Sequence, residues 1–318
     1  MGKKAIITGA TGAIGIALIN VLIERGYDIL VLCREGSPRN DNIPSNQSIK
    51  RLYCNLENLS TIKNCESEEY SVFYHFGWDG TTSRDRDDLP RQVKNIQWSL
   101  DAVNLAKEFN CEVFIGAGSQ AEYGRVEMPM GIDTPCFPEN GYGISKLAAG
   151  QMTRLRAQEL GIRHVWTRIL SVYGPYDNSD SLIMYAIRMF LEGKTPKLTK
   201  CEQEWDYIYS KDAANALYLM AEKGKNGGIY PIGSGSSRPL REYIEEIREM
   251  VSHQIAPSYG EIAYKEKQPM YLCADITAMR KDIGFQTKYS FEEGIQETIE
   301  WVKQVQEEPK TGSANNVV

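Results

Sequence analysis

Gly9-Ala10-Thr11-Gly12-Ala13-Ile14-Gly15 decides the fold. The stretch follows an apolar run at residues 5–8 and opens a helical pattern over 12–25. It therefore reads as the turn between a buried strand and a helix. Gly9 permits a tight turn, Gly12 lets the main chain approach a pyrophosphate, and Gly15 allows the helix to pack closely on the strand. A helix N-terminus at this point offers free N–H groups and a positive dipole end to phosphates. Glycine-rich turns are common, so the triplet carries weight only through its place between strand and helix.

Working outward, residues 29–33, 52–54, 72–76, 113–115 and 165–170 read as further strands, several of them nearly continuous apolar runs. Residues 90–109 and 142–160 read as helices between them. This alternation predicts an α/β fold with a doubly wound parallel sheet. After Gly174-Pro175 the rhythm changes to helices at 181–191, 211–222, 239–250, 277–283 and 291–305, with one strand at 228–232. The division that follows is a dinucleotide-binding domain of residues 1–172 plus about 207–235, and a smaller mixed α/β substrate domain of about 173–206 plus 236–306. The polar segment 307–318 reads as a disordered tail.

Composition narrows the function class. The chain has 318 residues, 42% of them hydrophobic, which is enough for a large core. A formal net charge of −6 with no dense basic run speaks against a nucleic-acid partner. No apolar stretch reads as a membrane span or signal peptide, so a cytoplasmic protein is expected. The seven cysteines include no CxxC pair and the three histidines lie far apart, so no metal site and no disulfide framework is expected.

The second strand ends at Arg34, with Ser37 and Arg39 close behind. An acidic residue here would bind the adenosine ribose hydroxyls and select NAD; a guanidinium pairs with a 2′-phosphate, so NADP is preferred, with NAD possible. Tyr142 and Lys146 stand four residues apart at a helix start, on one helix face. An isolated Tyr hydroxyl titrates near ~10, and a Lys146 ammonium beside it would favour the phenolate. Ser119 follows the strand at 113–115, where its hydroxyl can orient a substrate oxygen towards Tyr142. His75 and Cys136 read as structural, and Tyr207 and Tyr209 as packing residues.

With these motifs in order, the sequence resembles the extended short-chain dehydrogenase/reductase family, in its nucleotide-sugar epimerase/dehydratase/reductase branch. The resemblance spans roughly residues 4–302. It rests on the glycine turn, on Ser119 followed by Glu122-Tyr123-Gly124, on Tyr142-Gly-Ile-Ser-Lys146, on Arg168-Ile-Leu-Ser-Val-Tyr-Gly-Pro175, on the stretch from Trp205 to Asp212 and on the helix from Phe291 to near Trp301. It implies a Rossmann domain with Ser119, Tyr142 and Lys146 as catalytic residues. It implies dinucleotide contacts from Gly9, Thr11, Gly12, Ala13, Ile14 and Gly15 in the turn, and from Arg34, Asn55, Leu56, Phe76 and Gly77 at the following strand ends. Gly118, Tyr142, Lys146 and Leu170 complete that set, while Trp78, Gln120 and Ser171 fall on the substrate side. It also implies a homodimer through the helices at 90–109 and 142–160.

Departures from the family pattern sharpen the expectation. The two positions after Ser119, an Asp-Glu pair in the family's 4,6-dehydratases, are Gln120 and Ala121, which speaks against elimination. Asn55 replaces a usual Asp, Ser171 a common Asn, and Trp205 an Arg that often binds the substrate diphosphate. The leading expectation is an NADPH-dependent reductase of a nucleoside-diphosphate 4-keto-6-deoxy sugar. The alternatives are a nucleotide-sugar 4-epimerase with tightly bound NAD, and a non-catalytic NAD(P)-binding sensor on the same fold.

Overall fold

The computed structural model describes residues 3–65 and 67–307. Strand Lys4–Thr8 (β1) runs into the glycine turn and helix Ala13–Glu24 (α1), and Asp28–Cys33 (β2) returns parallel to β1. The same step repeats through Ile49–Tyr53 (β3), Val72–His75 (β4), helix Leu89–Glu108 (α2), Val113–Ser119 (β5), helix Gly141–Leu160 (α3) and Arg163–Ile169 (β6). There follow Ser171–Tyr173 (β7), helix Leu182–Leu191 (α4), Lys197–Leu198 (β8), Glu204–Trp205 (β9), Tyr207–Tyr209 (β10), helix Ser210–Lys223 (α5) and Gly228–Ile232 (β11). The chain continues as Arg238–Pro239 (β12), helix Leu240–Val251 (α6), Ser258–Tyr259 (β13), Tyr271–Leu272 (β14), helix Thr277–Ile283 (α7) and helix Phe291–Glu307 (α8).

Seven strands form one parallel sheet in the order β11-β6-β5-β4-β1-β2-β3, a Rossmann-like α/β architecture. Strand order reverses between β1 and β4, and at such a point the carboxyl ends of the strands leave a crevice for a ligand. Helices α1 and α5 pair on one face of the sheet, α2 and α3 on the other. β3 lies at 49–53 rather than 52–54: as the sheet edge it keeps most side chains exposed, so it lacks an apolar run. β5 extends to Ser119 through Gly116-Ala117-Gly118, residues without an apolar signal. Those glycines admit a neighbour: a Cβ on Gly116 would lie 2.2 Å from Cζ3 of Trp166 on β6.

The second half is built differently. Ile183, Ile187, Phe190, Ile244, Ile247, Ile295 and Ile299 form a further core together with Tyr173, Tyr209 and Tyr243. Tyr207 and Tyr209 are packing residues, as their sequence context indicates; Tyr207 meets Tyr243 edge-on at 5.0 Å. The short strands β7–β10 and β12–β14 carry no readable periodicity. Among the described residues no helix is long and apolar enough to cross a membrane. Residues 308–318, most of the expected tail, lie outside the described residues.

Candidate active site

The carboxyl ends of β1, β2 and β4 open on a cavity of about 510 Å³. Gly9, Thr11, Gly12, Arg34, Asn55, Leu56, Phe76, Gly77 and Trp78 line it, as do Ser37 and Arg39. Gly9 has φ +69°, and a Cβ there would lie 2.6 Å from the main chain of Phe76 and Gly77, so the turn requires glycine. Helix α1 has no side-chain N-cap, which leaves its first N–H groups for an anion. Among the described residues, the buried amide oxygens of Asn40 and Asn55 find no hydrogen-bond partner, and both residues line the cavity. Orphaned acceptors of this kind carry a desolvation penalty that a ligand donor relieves. Phosphate-binding N–H groups beside free amide acceptors fit the phosphates, ribose hydroxyls and adenine amino group of a dinucleotide.

Of the expected dinucleotide contacts, Ala13, Ile14, Gly15, Gly118, Tyr142, Lys146 and Leu170 are not on this wall. Ala13 is buried, Ile14 packs against the core, and Gly15 serves close packing, its Cβ position being 2.4 Å from the Ala10 carbonyl oxygen. Gly118 makes room for Glu122 and Trp166, each of which would lie 2.3 Å from a Cβ there. Leu170 joins the core beneath the sheet edge.

Ser119 ends β5 and caps the turn Gln120–Glu122: its Oγ accepts from the Ala121 N–H at 3.2 Å, and Glu122 accepts from the Ser119 N–H at 2.8 Å. Glu122 also accepts from Trp166 Nε1 at 3.0 Å and Arg168 Nε at 2.9 Å, in an ion pair 0% and 3% exposed. Helix α3 is capped by Asn140 and approaches this turn so closely that a Cβ on Gly143 would lie 2.3 Å from the Ala121 carbonyl oxygen. Gly143 thus lets the buried Tyr142 phenol approach the Ser119 hydroxyl. Lys146 follows one helical turn later, also buried.

The electrostatics correct one expectation. Lys146 does not direct its amine at the phenol: Nζ donates to the Ala117 carbonyl at 2.6 Å and lies 3.8 Å from the Trp78 ring centroid, against 5.7 Å for Tyr142. Burial lowers Lys146 to about 7, with Glu122 opposing, because a buried amine sheds its charge. Burial pushes the Tyr142 phenol up; the Ser119 hydrogen bond and the Arg86 guanidinium pull it down, and Glu122 raises it. Arg86 Cζ lies 5.0 Å from the Tyr142 ring centroid. Sequence reading missed Arg86, which sits in the charge-alternating run Arg84-Asp85-Arg86-Asp87-Asp88 and looks there like a solvated loop.

Trp78 donates to Gln92 at 2.9 Å and stands edge-on to Tyr142 at 6.0 Å. Gln120 is half-buried beside Ser119. Ser171 accepts from Trp205 Nε1 at 2.7 Å, so two positions that depart from the family pattern are partners of each other. His75 is a core residue held by Thr8 and Ser99, and burial keeps it neutral by lowering it to about 3. Burial pushes the half-buried Cys136 thiol up, so it stays protonated.

A parallel sheet with a phosphate-ready cavity at its reversal point, and a Ser–Tyr pair at the edge of β5, defines a dinucleotide-dependent oxidoreductase. A family model for the NAD dependent epimerase/dehydratase family matches residues 5–233, and the chain belongs to that family of NAD(P)-dependent enzymes. CDP-abequose synthase of Salmonella muenchen is 25% identical over 94% of this chain and 98% of its own length. dTDP-4-dehydro-6-deoxyglucose reductase of Escherichia coli is 25% identical over 94% of this chain and 97% of its own. Among solved structures, UDP-glucose 4-epimerase of Thermotoga maritima with UDP-glucose shares the fold with a TM-score of 0.86 at 23% identity, covering 96% of this chain and 100% of that one.

Proposed function

We propose that the chain is an NADPH-dependent reductase of a nucleoside-diphosphate 4-keto-6-deoxy sugar. The observation that carries this reading is Ser119 and Tyr142 brought together at the carboxyl end of β5, with no carboxylate at the two positions that follow Ser119. Gln120 and Ala121 offer none, and Glu122 is held by Ser119, Trp166 and Arg168. A full-length relative named dTDP-4-dehydro-6-deoxyglucose reductase supports the substrate class. Bound NADPH supplies the hydride. Ser119 Oγ orients the carbonyl oxygen, and Tyr142 Oη holds the proton that this oxygen takes up. Lys146, fixed by the Ala117 carbonyl, stands ready to hold a ribose hydroxyl. Arg34, Ser37 and Arg39 share one cavity wall and favour the 2′-phosphate of NADP. Trp78, Gln120 and Ser171 face the sugar side in this reading, and residues 173–206 and 236–306 form the substrate domain.

The experiment is consumption of NADPH with a panel of such keto sugars. Tyr142→Phe keeps the ring, so the fold and NADPH affinity persist while kcat falls about a hundredfold or more. Hydride transfer by Tyr142→Phe at the parent rate sinks the mechanism; retained NAD with net interconversion of 4-epimers sinks the reductase in favour of an epimerase. The same reading includes a homodimer. Leu89 and Val93 on α2, with Ile144, Met152 and Leu155 on α3, expose apolar side chains on two helices packed side by side, suited to pairing with a second copy. A monomer by light scattering at working concentration removes that part.

A further inference from the structure

We propose that Arg86 is a positioning residue for this reaction: its guanidinium supplies the positive charge that the Tyr142 phenolate needs once the phenol has given up its proton. The inference deepens the reductase reading and rests on Tyr142 as proton donor. Arg86 Cζ lies 5.0 Å from the Tyr142 ring centroid, nearer than Lys146 Nζ at 5.7 Å. Its place is fixed relative to the phenol. The Arg86 carbonyl accepts from the Tyr142 N–H at 2.7 Å, the Asp87 carboxylate accepts from the Gly141 N–H at 2.9 Å, and Arg86 Nε donates to the Thr81 carbonyl at 3.2 Å. The loop before α2 is thereby bolted to the first turn of α3, and guanidinium and phenol move together.

The charge of Arg86 is unspent. Asp79, Asp85 and Asp88 all turn to Arg91, at 3.3, 2.7 and 3.6 Å. Among the described residues no carboxylate stands within ion-pair distance of Arg86. The groups facing the phenol can be taken element by element. The turn after β5 brings Ser119 and the Arg168-bound Glu122; α3 brings Lys146, whose amine is committed to Ala117 and Trp78; the loop before α2 brings Arg86 and, at Gly141, Asp87. Burial lowers the Lys146 ammonium, whereas a guanidinium is a delocalised, weakly hydrated cation suited to a place beside an aromatic ring.

Reduction uses the protonated phenol, so its rate falls as pH rises through the Tyr142 titration. Removing the Arg86 charge destabilises the phenolate, which moves that titration and the alkaline limb of kcat upward by about one pH unit. The maximal rate falls as well. The test follows Tyr142 by 13Cζ-tyrosine NMR in the full chain without substrate, the resonance being assigned by its loss in Tyr142→Phe. Arg86→Gln, with Arg86→Met as a second neutral replacement should the first not fold, raises the midpoint by about one pH unit. Arg86→Lys brings it back towards the parent value, and Lys146→Met moves it less than either neutral Arg86 variant. An unmoved midpoint in Arg86→Gln or Arg86→Met overturns the proposal. So does a rise in KM with an unshifted kcat profile, which would make Arg86 a substrate-binding group. Because the titration needs no turnover, a shifted midpoint in a protein that never consumes NADPH leaves this inference standing while the reductase reading falls.

Discussion

From β1 to β6 the chain packs a parallel sheet between two helical layers, whereas from Tyr173 onward, outside that sheet, it gathers a cluster of rings. In the first region Ile6, Ile7, Val31, Phe73 and Ile115 are fully enclosed, and parallel ladders of four to seven residues fix the backbone. In the second, Tyr173, Tyr207, Tyr243 and Phe291 meet at centroid distances of 4.6 to 6.3 Å, and ladders shrink to two or three residues. The tyrosine hydroxyls take over the fixing: Tyr173 donates to the Phe291 carbonyl, Tyr209 to Glu297 and Tyr243 to the Trp205 carbonyl. The sheet half is thus held by backbone and the later half by side chains reaching across long stretches of sequence. In the proposed division the backbone-held half carries the cofactor and the side-chain-held half the substrate.

The sharpest way to stress the sheet half is Glu122→Ala. It removes one partner of a buried ion pair and leaves the Arg168 guanidinium uncompensated, with Nη1 already lacking a hydrogen-bond partner among the described residues. The expected loss is about 3–5 kcal/mol of stability, read by denaturant unfolding. It also frees the Ser119 N–H, so surviving protein loses kcat. Unchanged stability shows that the pair adds nothing to the sheet half. In the later half, Ile247→Ala deletes a side chain at 0% exposure from the core beneath the rings and costs about 2–5 kcal/mol. If the two halves are separate domains, NADPH affinity survives while sugar-nucleotide affinity falls. Equal damage to both affinities breaks the proposed division.

The same contrast decides what the sequence could disclose. The glycine turn, β1, β2, β4 and the Tyr142–Lys146 spacing depend on neighbours in the chain, and local pattern exposes them. β7 pairs Ser171 with Tyr207, β8 pairs Lys197 with Ser258, and β9 pairs Glu204 with Tyr271, contacts that no local pattern encodes. The site divides in the same way. Lys146 is found by spacing, but the aim of its amine depends on Trp78, brought in by β4 from 68 positions earlier. Arg86 is hidden by its charged neighbours, and the Ser171–Trp205 partnership spans 34 residues. Gly118 is expected from the resemblance as a dinucleotide contact, and its missing side chain makes room for Trp166 and Glu122.

Arg34→Asp probes the sheet half alone and carries the smallest of these effects. Arg34 lies just past β2, on the same cavity wall as Ser37 and Arg39. A guanidinium there gains a charge-assisted hydrogen bond from a 2′-phosphate, about 1.5–3 kcal/mol, or roughly tenfold to a hundredfold in affinity. An aspartate repels that phosphate and accepts from ribose hydroxyls instead, so the ratio of NADP(H) to NAD(H) affinity falls by at least that factor. Arg39 moderates the change, because its Nη2 stays near the turn, 3.4 Å from the Thr11 carbonyl oxygen, and retains some attraction for phosphate. Among the described residues Arg34 makes no hydrogen bond or ion pair with the ring cluster of the later half, so sugar-nucleotide KM and unfolding midpoint are expected to stay at their parent values. Titration of both cofactors into both proteins is the measurement. Equal NADP(H) and NAD(H) affinities in the parent remove the NADP preference, and a large change in sugar-nucleotide KM in Arg34→Asp shows that the two halves are not independent.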